Sequence, residues 1–242
     1  MKMKKYLILI LSCCAATLAA QENVAALWTS LSVKKQFEKG ASLQAYGEYR
    51  CKDNFASTDL FFLRLTAGYS FCPYVSAAIA YDFFGAQQSA SLRDGVSVNP
   101  WMKHSHRMLA DVIGSYKTGD WSFSLRERYV LAYAMPASVA GCDPEGLYVD
   151  YDFAPGLSHV FRSCPTVTYH IPDTRFRPYV SVETYNSLMP GDKFLLQQLH
   201  LFAGTSVKLS DALSLKLFYL CNMKIPSKKY LHTLGVYFMV TI

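Results

Sequence analysis

The chain has 242 residues, 51% hydrophobic and 14% aromatic, with 24 Lys and Arg against 18 Asp and Glu for a formal charge of +6. Three of those cations, Lys2, Lys4 and Lys5, crowd the extreme N-terminus, and no basic patch interleaved with aromatics forms on one element, which gives nucleic-acid binding little support. Beyond residue 20 the cysteines are Cys51, Cys72, Cys142, Cys164 and Cys221, an odd number without a CxxC pair, so neither a disulfide framework nor a zinc centre is implied.

Residues 1–20 read as a cleaved signal peptide. The three lysines precede an apolar run from Tyr6 to Leu11, and the small-residue stretch from Ser12 to Ala20 offers Thr17 and Ala19, or Leu18 and Ala20, to a peptidase. The apolar run is far shorter than the roughly 20 residues of a spanning helix. A lipoprotein signal on Cys13 or Cys14 would truncate that run further. Residues 21–242 are then one exported domain, and no stretch in them approaches the roughly 18 continuous apolar residues of a membrane helix.

A chain this apolar can still meet lipid through strands, with one face outward and the other toward a lumen. The period of two is explicit. Ser42, Gln44, Tyr46, Glu48 and Arg50 oppose Leu43, Ala45, Gly47 and Tyr49. Phe61, Leu63, Leu65, Ala67, Tyr69 and Phe71 oppose Arg64, Thr66, Gly68 and Ser70, with Phe62 breaking the pattern. Leu213, Leu215, Leu217 and Tyr219 oppose Ser214, Lys216, Asn222 and Lys224.

Strands are predicted to start near Trp28, Ser42, Asp59, Val75, His104, Trp121, Leu157, Pro178, Leu196, Leu213 and Leu231, each about 9 to 11 residues long. Short turns at Glu38-Lys39-Gly40, Cys72-Pro73-Tyr74, Lys117 to Asp120, Ile171 to Thr174 and Ser210-Asp211-Ala212 alternate with longer connections. The longer ones are Asp53 to Thr58, Gly85 to Pro100, Ala134 to Pro155, Leu188 to Phe194 and Ile225 to Lys229. That asymmetry is the one expected of periplasmic turns and extracellular loops.

The fold class is therefore all-β, an antiparallel up-and-down transmembrane barrel. Eleven strands are visible, and single-chain bacterial barrels have even numbers, so the expectation is twelve, with Leu147 to Phe153 as the hidden strand; ten is the alternative. On the last segment Leu234, Val236, Phe238, Val240 and Ile242 share an apolar face. Leu231 to Ile242 is similar to the C-terminal strand read by outer-membrane assembly machinery, although Ile242 stands where an aromatic is commoner. Trp28, Tyr69, Phe71, Trp101, Tyr116, Trp121, Tyr133 and Tyr237 fall near strand ends, where an interfacial girdle would put them. The competing architecture is a soluble sandwich, since alternation alone does not tell lipid from a second sheet.

Across nearly all of this region the chain resembles the family called domain of unknown function 2490, bacterial outer-membrane proteins. The resemblance rests on Trp28, Glu48-Tyr49-Arg50, Arg64 with Gly68-Tyr69, His106-Arg107-Met108-Leu109, Arg126-Glu127-Arg128, Arg162, Pro178-Tyr179 with Glu183, and Gly235-Val236-Tyr237. It implies a Gram-negative outer-membrane location, with lipid and lipopolysaccharide as neighbours, and supplies no reaction, cofactor or ligand.

Charges inside strands carry the chemistry. A cation facing mid-membrane lipid costs about 2 to 4 kcal/mol, so parity should turn Glu48, Arg50, Arg64, Asp82, Arg107, Asp111, Arg126, Arg128, Arg162 and Glu183 toward the lumen. The preferred reading is structural, with Arg and carboxylate pairing across a filled interior; surplus Arg lining an anion-favouring pore is the other. Glu127 is the exception, since parity puts it with Phe123, Leu125 and Tyr129. A lipid-modifying enzyme would have to use His104, Ser105 and His106 with Glu183 or Asp111, but alternation separates Ser105 from both histidines. Two histidines at i and i+2 lack a third metal ligand, and no phosphate loop occurs. The expected function is a narrow channel, a small-ligand or lipid-binding barrel, or an envelope structural protein, without catalytic, metal or cofactor sites.

Overall fold

Strict alternation of apolar and polar residues gives a strand two unlike faces, and a sheet with two unlike faces can satisfy both by curling closed. The computed structural model describes residues 26–189, 191 and 194–242, so the expected signal peptide lies outside the described residues. Eleven strands close a barrel: β1 (Ala26–Gln36), β2 (Ala41–Lys52), β3 (Ser57–Cys72), β4 (Val75–Gln88), β7 (Trp101–Thr118), β8 (Trp121–Ala134), β11 (Gly156–Tyr169), β12 (Phe176–Ser187), β13 (Leu195–Lys208), β14 (Leu213–Lys224) and β15 (Lys229–Thr241). Between them β5 (Ser91–Arg93), β6 (Val96–Val98), β9 (Ala137–Cys142) and β10 (Tyr148–Phe153) form a separate four-stranded sheet in the order β10-β9-β6-β5.

Two expectations are corrected here. The barrel has eleven strands, not twelve or ten, and it is not purely antiparallel. Neighbours in a meander alternate direction, so an odd count leaves the first and last strands running the same way. β1 and β15 accordingly close the wall as a parallel ladder, Ala26 opposite Thr233 through Lys34 opposite Thr241. The segment expected as the hidden strand does form one, but β10 pairs with β9 outside the barrel. The strands also exceed the expected length, reaching 16 residues in β3 and 18 in β7.

Connections segregate by end. At one end the links are short: a 3-10 turn at Glu38–Gly40, Pro73-Tyr74, the Gly119-Asp120 pair between Thr118 and Trp121, residues 170–175 and residues 209–212. Gly119, at φ +53°, supplies the positive φ that a two-residue hairpin demands. The other end carries the four-stranded sheet. Its first hairpin turns on Asp94-Gly95, both at positive φ, between Arg93 and Val96. Tyr151 donates to Asp94 across this sheet at 2.6 Å, and Trp101 stacks on Phe153 with ring centroids 4.6 Å apart, seating the sheet on the rim of β7. The hairpin of β5 and β6 sits in a segment expected as a loop, whereas Tyr151 and Phe153 belong to the segment expected as the hidden strand.

Outside, the barrel presents its apolar face: Leu63 and Leu65 are each 64% exposed and Ile79 65%. Inside, Ala80, Leu109 and Val130 form a small buried cluster with Val160, and most of the cavity lining besides is polar or aromatic, with Leu60, Ala86 and Met239 among the exceptions. Phe62, which broke the alternation in the sequence, keeps the inner parity and is 7% exposed. Trp28 and Tyr237 are corrected as well. Trp28 is buried in the lumen, and the Tyr237 hydroxyl meets Ser32 Oγ at 2.7 Å inside it, so neither belongs to an outer girdle.

Candidate functional site

All ten residues of the charge ladder lie on the inner face, and nine of them gather into four clusters. On β3 and β4, directly opposite one another, Arg64 donates from Nε and Nη2 to the two oxygens of Asp82 at 2.6 and 2.8 Å. On β7 and β8 Arg128 does the same to Asp111, at 2.6 Å twice. Glu183, 3% exposed on β12, takes Arg126 at 2.5 Å, Arg162 at 2.8 Å and the Tyr185 hydroxyl at 3.1 Å. Glu48 accepts from Arg50 and from Tyr46 on its own strand. Each pair offsets the loss of water that the inner face imposes on a charge.

Arg107 is the tenth residue and makes no ion pair among the described residues. Its guanidinium lies flat over the Phe84 ring, 3.2 Å from the centroid. Arg50 stacks on Trp28 at 3.3 Å, Arg162 on Tyr185 at 4.2 Å and Arg64 over Phe62 at 5.0 Å. Aromatic faces thus hold these planar cations close to the wall. Phe218 completes the belt, edge-on to Trp28 at 6.0 Å and to Phe202 at 5.7 Å. It fits because Gly235 has no side chain: a Cβ there would stand 2.0 Å from the Phe218 Cζ.

The wall does not fill the interior. A cavity of about 1110 Å³ is lined by Ser122, Thr168, His170, Arg177 and Ser206 near the turn end and by Lys52, Asp59, Gln88, Ser89 and Lys224 near the loop end. Its charged lining adds Arg50, Arg64, Arg107, Arg126, Arg128, Arg162 and Lys216 to those cations, with Glu48 and Glu183 among its carboxylates. Even with Asp82 and Asp111 behind their arginines, ten cations face five carboxylates. At the turn-side mouth His170 accepts or donates at 2.8 Å with Ser122 Oγ, and burial, aided by Arg177 and Lys117, holds its imidazole below the ordinary value. A polar network of Gln198, Asn222 and His200 occupies the wall between β13 and β14, with Gln198 Nε2 2.8 Å from Asn222 Oδ1.

The residues weighed for catalysis do not converge. Ser105 is buried on the inner face, while His104 and His106 take the outer one, where Tyr81 meets His106 Nδ1 at 2.6 Å and His104 stacks on Phe83 with centroids 5.6 Å apart. Glu183 and Asp111 are held by arginines. Glu127 points outward as its parity required, and accepts from Ser163 Oγ at 2.8 Å. Tyr129 with His159 at 2.6 Å, and Tyr219 with His232, repeat the Tyr81–His106 pairing on other strand pairs.

Sequence reasoning missed the lumen aromatics Trp28, Phe84, Tyr185, Phe202 and Phe218 and the cation Arg177, and it put Lys216 on the polar face of its strand without counting it in the ladder. Parity alone could have found them, since each shares its strand's inner register with a ladder or cavity residue. A profile described as protein of unknown function (DUF2490) matches residues 25–229 of the chain. No curated protein matches it.

Proposed function

The chain belongs to the DUF2490 family of proteins of unknown function, and on that premise we propose that it is a Gram-negative outer-membrane barrel whose cationic lumen conducts small anions. The observation that carries this reading is a cavity reaching from Ser122, His170 and Arg177 at one end to Lys52, Gln88 and Lys224 at the other, with twice as many cations as carboxylates around it. A low-dielectric wall concentrates that excess charge on a passing ion, favouring anions over cations.

The membrane part of the reading is supported by the outer surface. Soluble monomers rarely expose contiguous apolar patches beyond a few hundred square ångströms. Here Leu31, Leu43, Leu63, Leu65, Ile79, Val112, Leu125, Val180 and Leu234, on eight of the eleven barrel strands, are each 45% exposed or more. In this reading the signal peptide of residues 1–20 directs export, the strand from Leu231 to Ile242 engages the assembly machinery, and lipid with lipopolysaccharide covers the apolar belt. The loop end with its four-stranded sheet faces outward and the short turns face the periplasm.

Planar-bilayer recording tests it. The purified chain should give discrete steps whose reversal potential in a salt gradient reports anion preference, and Arg126→Gln with Arg177→Gln should weaken that preference. A silent bilayer with correctly folded protein, or cation-selective steps, overturns the proposal.

A further inference from the structure

In the loop-side half of the lumen a recess of about 270 Å³ lies against β4, β7, β8, β11 and Tyr185 of β12, sharing Phe84, Ala86, Arg107, Arg162 and Tyr185 with the main cavity. Its described lining differs from that of the main lumen in holding no carboxylate. Lys103, Arg107 and Arg162 bring cations, and Val130, Ala132 and Val160 form an apolar wall continuous with the buried cluster of Ala80 and Leu109.

The three cations are not equivalent. Arg162 is committed to Glu183 and to the Tyr185 hydroxyl. Lys103 is exposed at the strand's loop end. Arg107 is pressed on Phe84, with its Nη2 buried and without a hydrogen-bond partner among the described residues. The carboxylate opposite it, Asp82, is engaged at both oxygens by Arg64. A guanidinium cannot discharge itself by losing its proton, so this buried donor calls for an acceptor from outside the wall.

We propose that the recess binds an amphipathic carboxylate. The carboxylate accepts from Arg107 Nη2 and from the buried Ser105 hydroxyl two residues away on the same face, and a short acyl or aryl tail lies against Val130, Ala132 and Val160. Lys103 stands at the mouth and draws the anion in. A phosphate would bring more acceptors than this recess has uncommitted donors, and a neutral amphiphile would leave the Arg107 charge unanswered. Binding here does not depend on the lumen conducting.

The test is calorimetric titration of the full chain, folded in nonionic detergent, with phenylbutyrate and with phenylbutanol as the uncharged control. The acid should bind saturably and the alcohol should not. Arg107→Gln should weaken the acid by about tenfold or more, the loss of one hydrogen bond to a charged donor. Ala132→Leu, directly opposite Arg107 in the β7–β8 register, should abolish binding by filling the apolar wall while keeping the charge. Heat-modifiable migration establishes that each variant is folded, and the two variants act by different means, so failure of one to fold leaves the other decisive. Equal binding of acid and alcohol, absence of saturable acid binding, or wild-type affinity in a folded variant overturns the proposal.

Discussion

Asp111→Ala is the most direct probe of how the inner wall is held. Asp111 and Arg128 are 7% and 6% exposed and joined by two hydrogen bonds of 2.6 Å, one to each carboxylate oxygen. Hydrogen bonds to charged groups contribute about 1.5 to 3 kcal/mol each, so the pair carries about 3 to 6 kcal/mol; breaking a buried pair by removing one partner costs about 3 to 5 kcal/mol. The two routes overlap at about 3 to 5 kcal/mol. Arg126, Arg64 and Arg162 lie close enough to act on the stranded Arg128 with the same sign of charge, which keeps the cost at the upper part of that range. Urea titration of the barrel refolded into lipid vesicles, read by heat-modifiable migration, measures it. The double variant Asp111→Leu with Arg128→Met removes both charges and should recover to within about 1 kcal/mol of the parent or exceed it. A single variant costing less than about 1 kcal/mol, or a double variant as unstable as the single, would refute the claim that desolvated charge rather than side-chain volume governs this site.

Gly235→Ala should destabilise by about 1 to 3 kcal/mol, because its Cβ lands 2.0 Å from a Phe218 ring flanked by Trp28 and Phe202; adding Phe218→Leu should restore most of the loss in the same urea titration. His170 sets a pH dependence. Its folded-state imidazole titrates below the ordinary 6.5 because burial and the Arg177 and Lys117 charges disfavour the protonated form. The unfolded chain therefore binds the proton first, and stability should fall as pH drops through 6.5 and level off once the folded imidazole is protonated. His170→Gln should flatten that segment of the stability profile, and an unchanged profile would remove His170 as its source.

The barrel was legible because its signal is local: period-two alternation needs only one strand to show itself. The strand starts expected from alternation and turn residues fall within three residues of those observed, from Trp28 against Ala26 to Leu231 against Lys229. Closure is a different kind of fact. Whether β1 meets β15 in parallel depends on the count of all intervening strands, and a rule for even barrels displaced the direct count of eleven. The four-stranded sheet did have a local signal. Asp94-Gly95 between Leu92-Arg93 and Val96-Ser97-Val98 is a strong short-range hairpin pattern, obscured by the Gly, Pro, Ser and Asn residues around it. Inner parity placed the charges, but the stacking of Arg50 on Trp28 or Arg107 on Phe84 could not be read from one strand, because the partners come from two.

Holding register and leaving a path use different directions in the barrel, so one ladder of charges can serve both. The bidentate pairs run along the circumference: Arg64 sits directly opposite Asp82 and Asp111 directly opposite Arg128, one strand spacing apart. Because successive side chains change face, slipping either pair of strands by one residue would turn a partner outward and break two charge-assisted hydrogen bonds at once. The arms of these pairs lie along the wall, and the aromatic stacks flatten the cations beside them. What remains free is the axial direction, where the cations outnumber the carboxylates. A filled interior would have required inward side chains from opposite walls to meet. Instead the charge pairs stay within one strand, as Glu48 and Arg50 do on β2, or join neighbouring or nearby strands such as β8 and β12 through Glu183, and the about 1110 Å³ between the walls stays open.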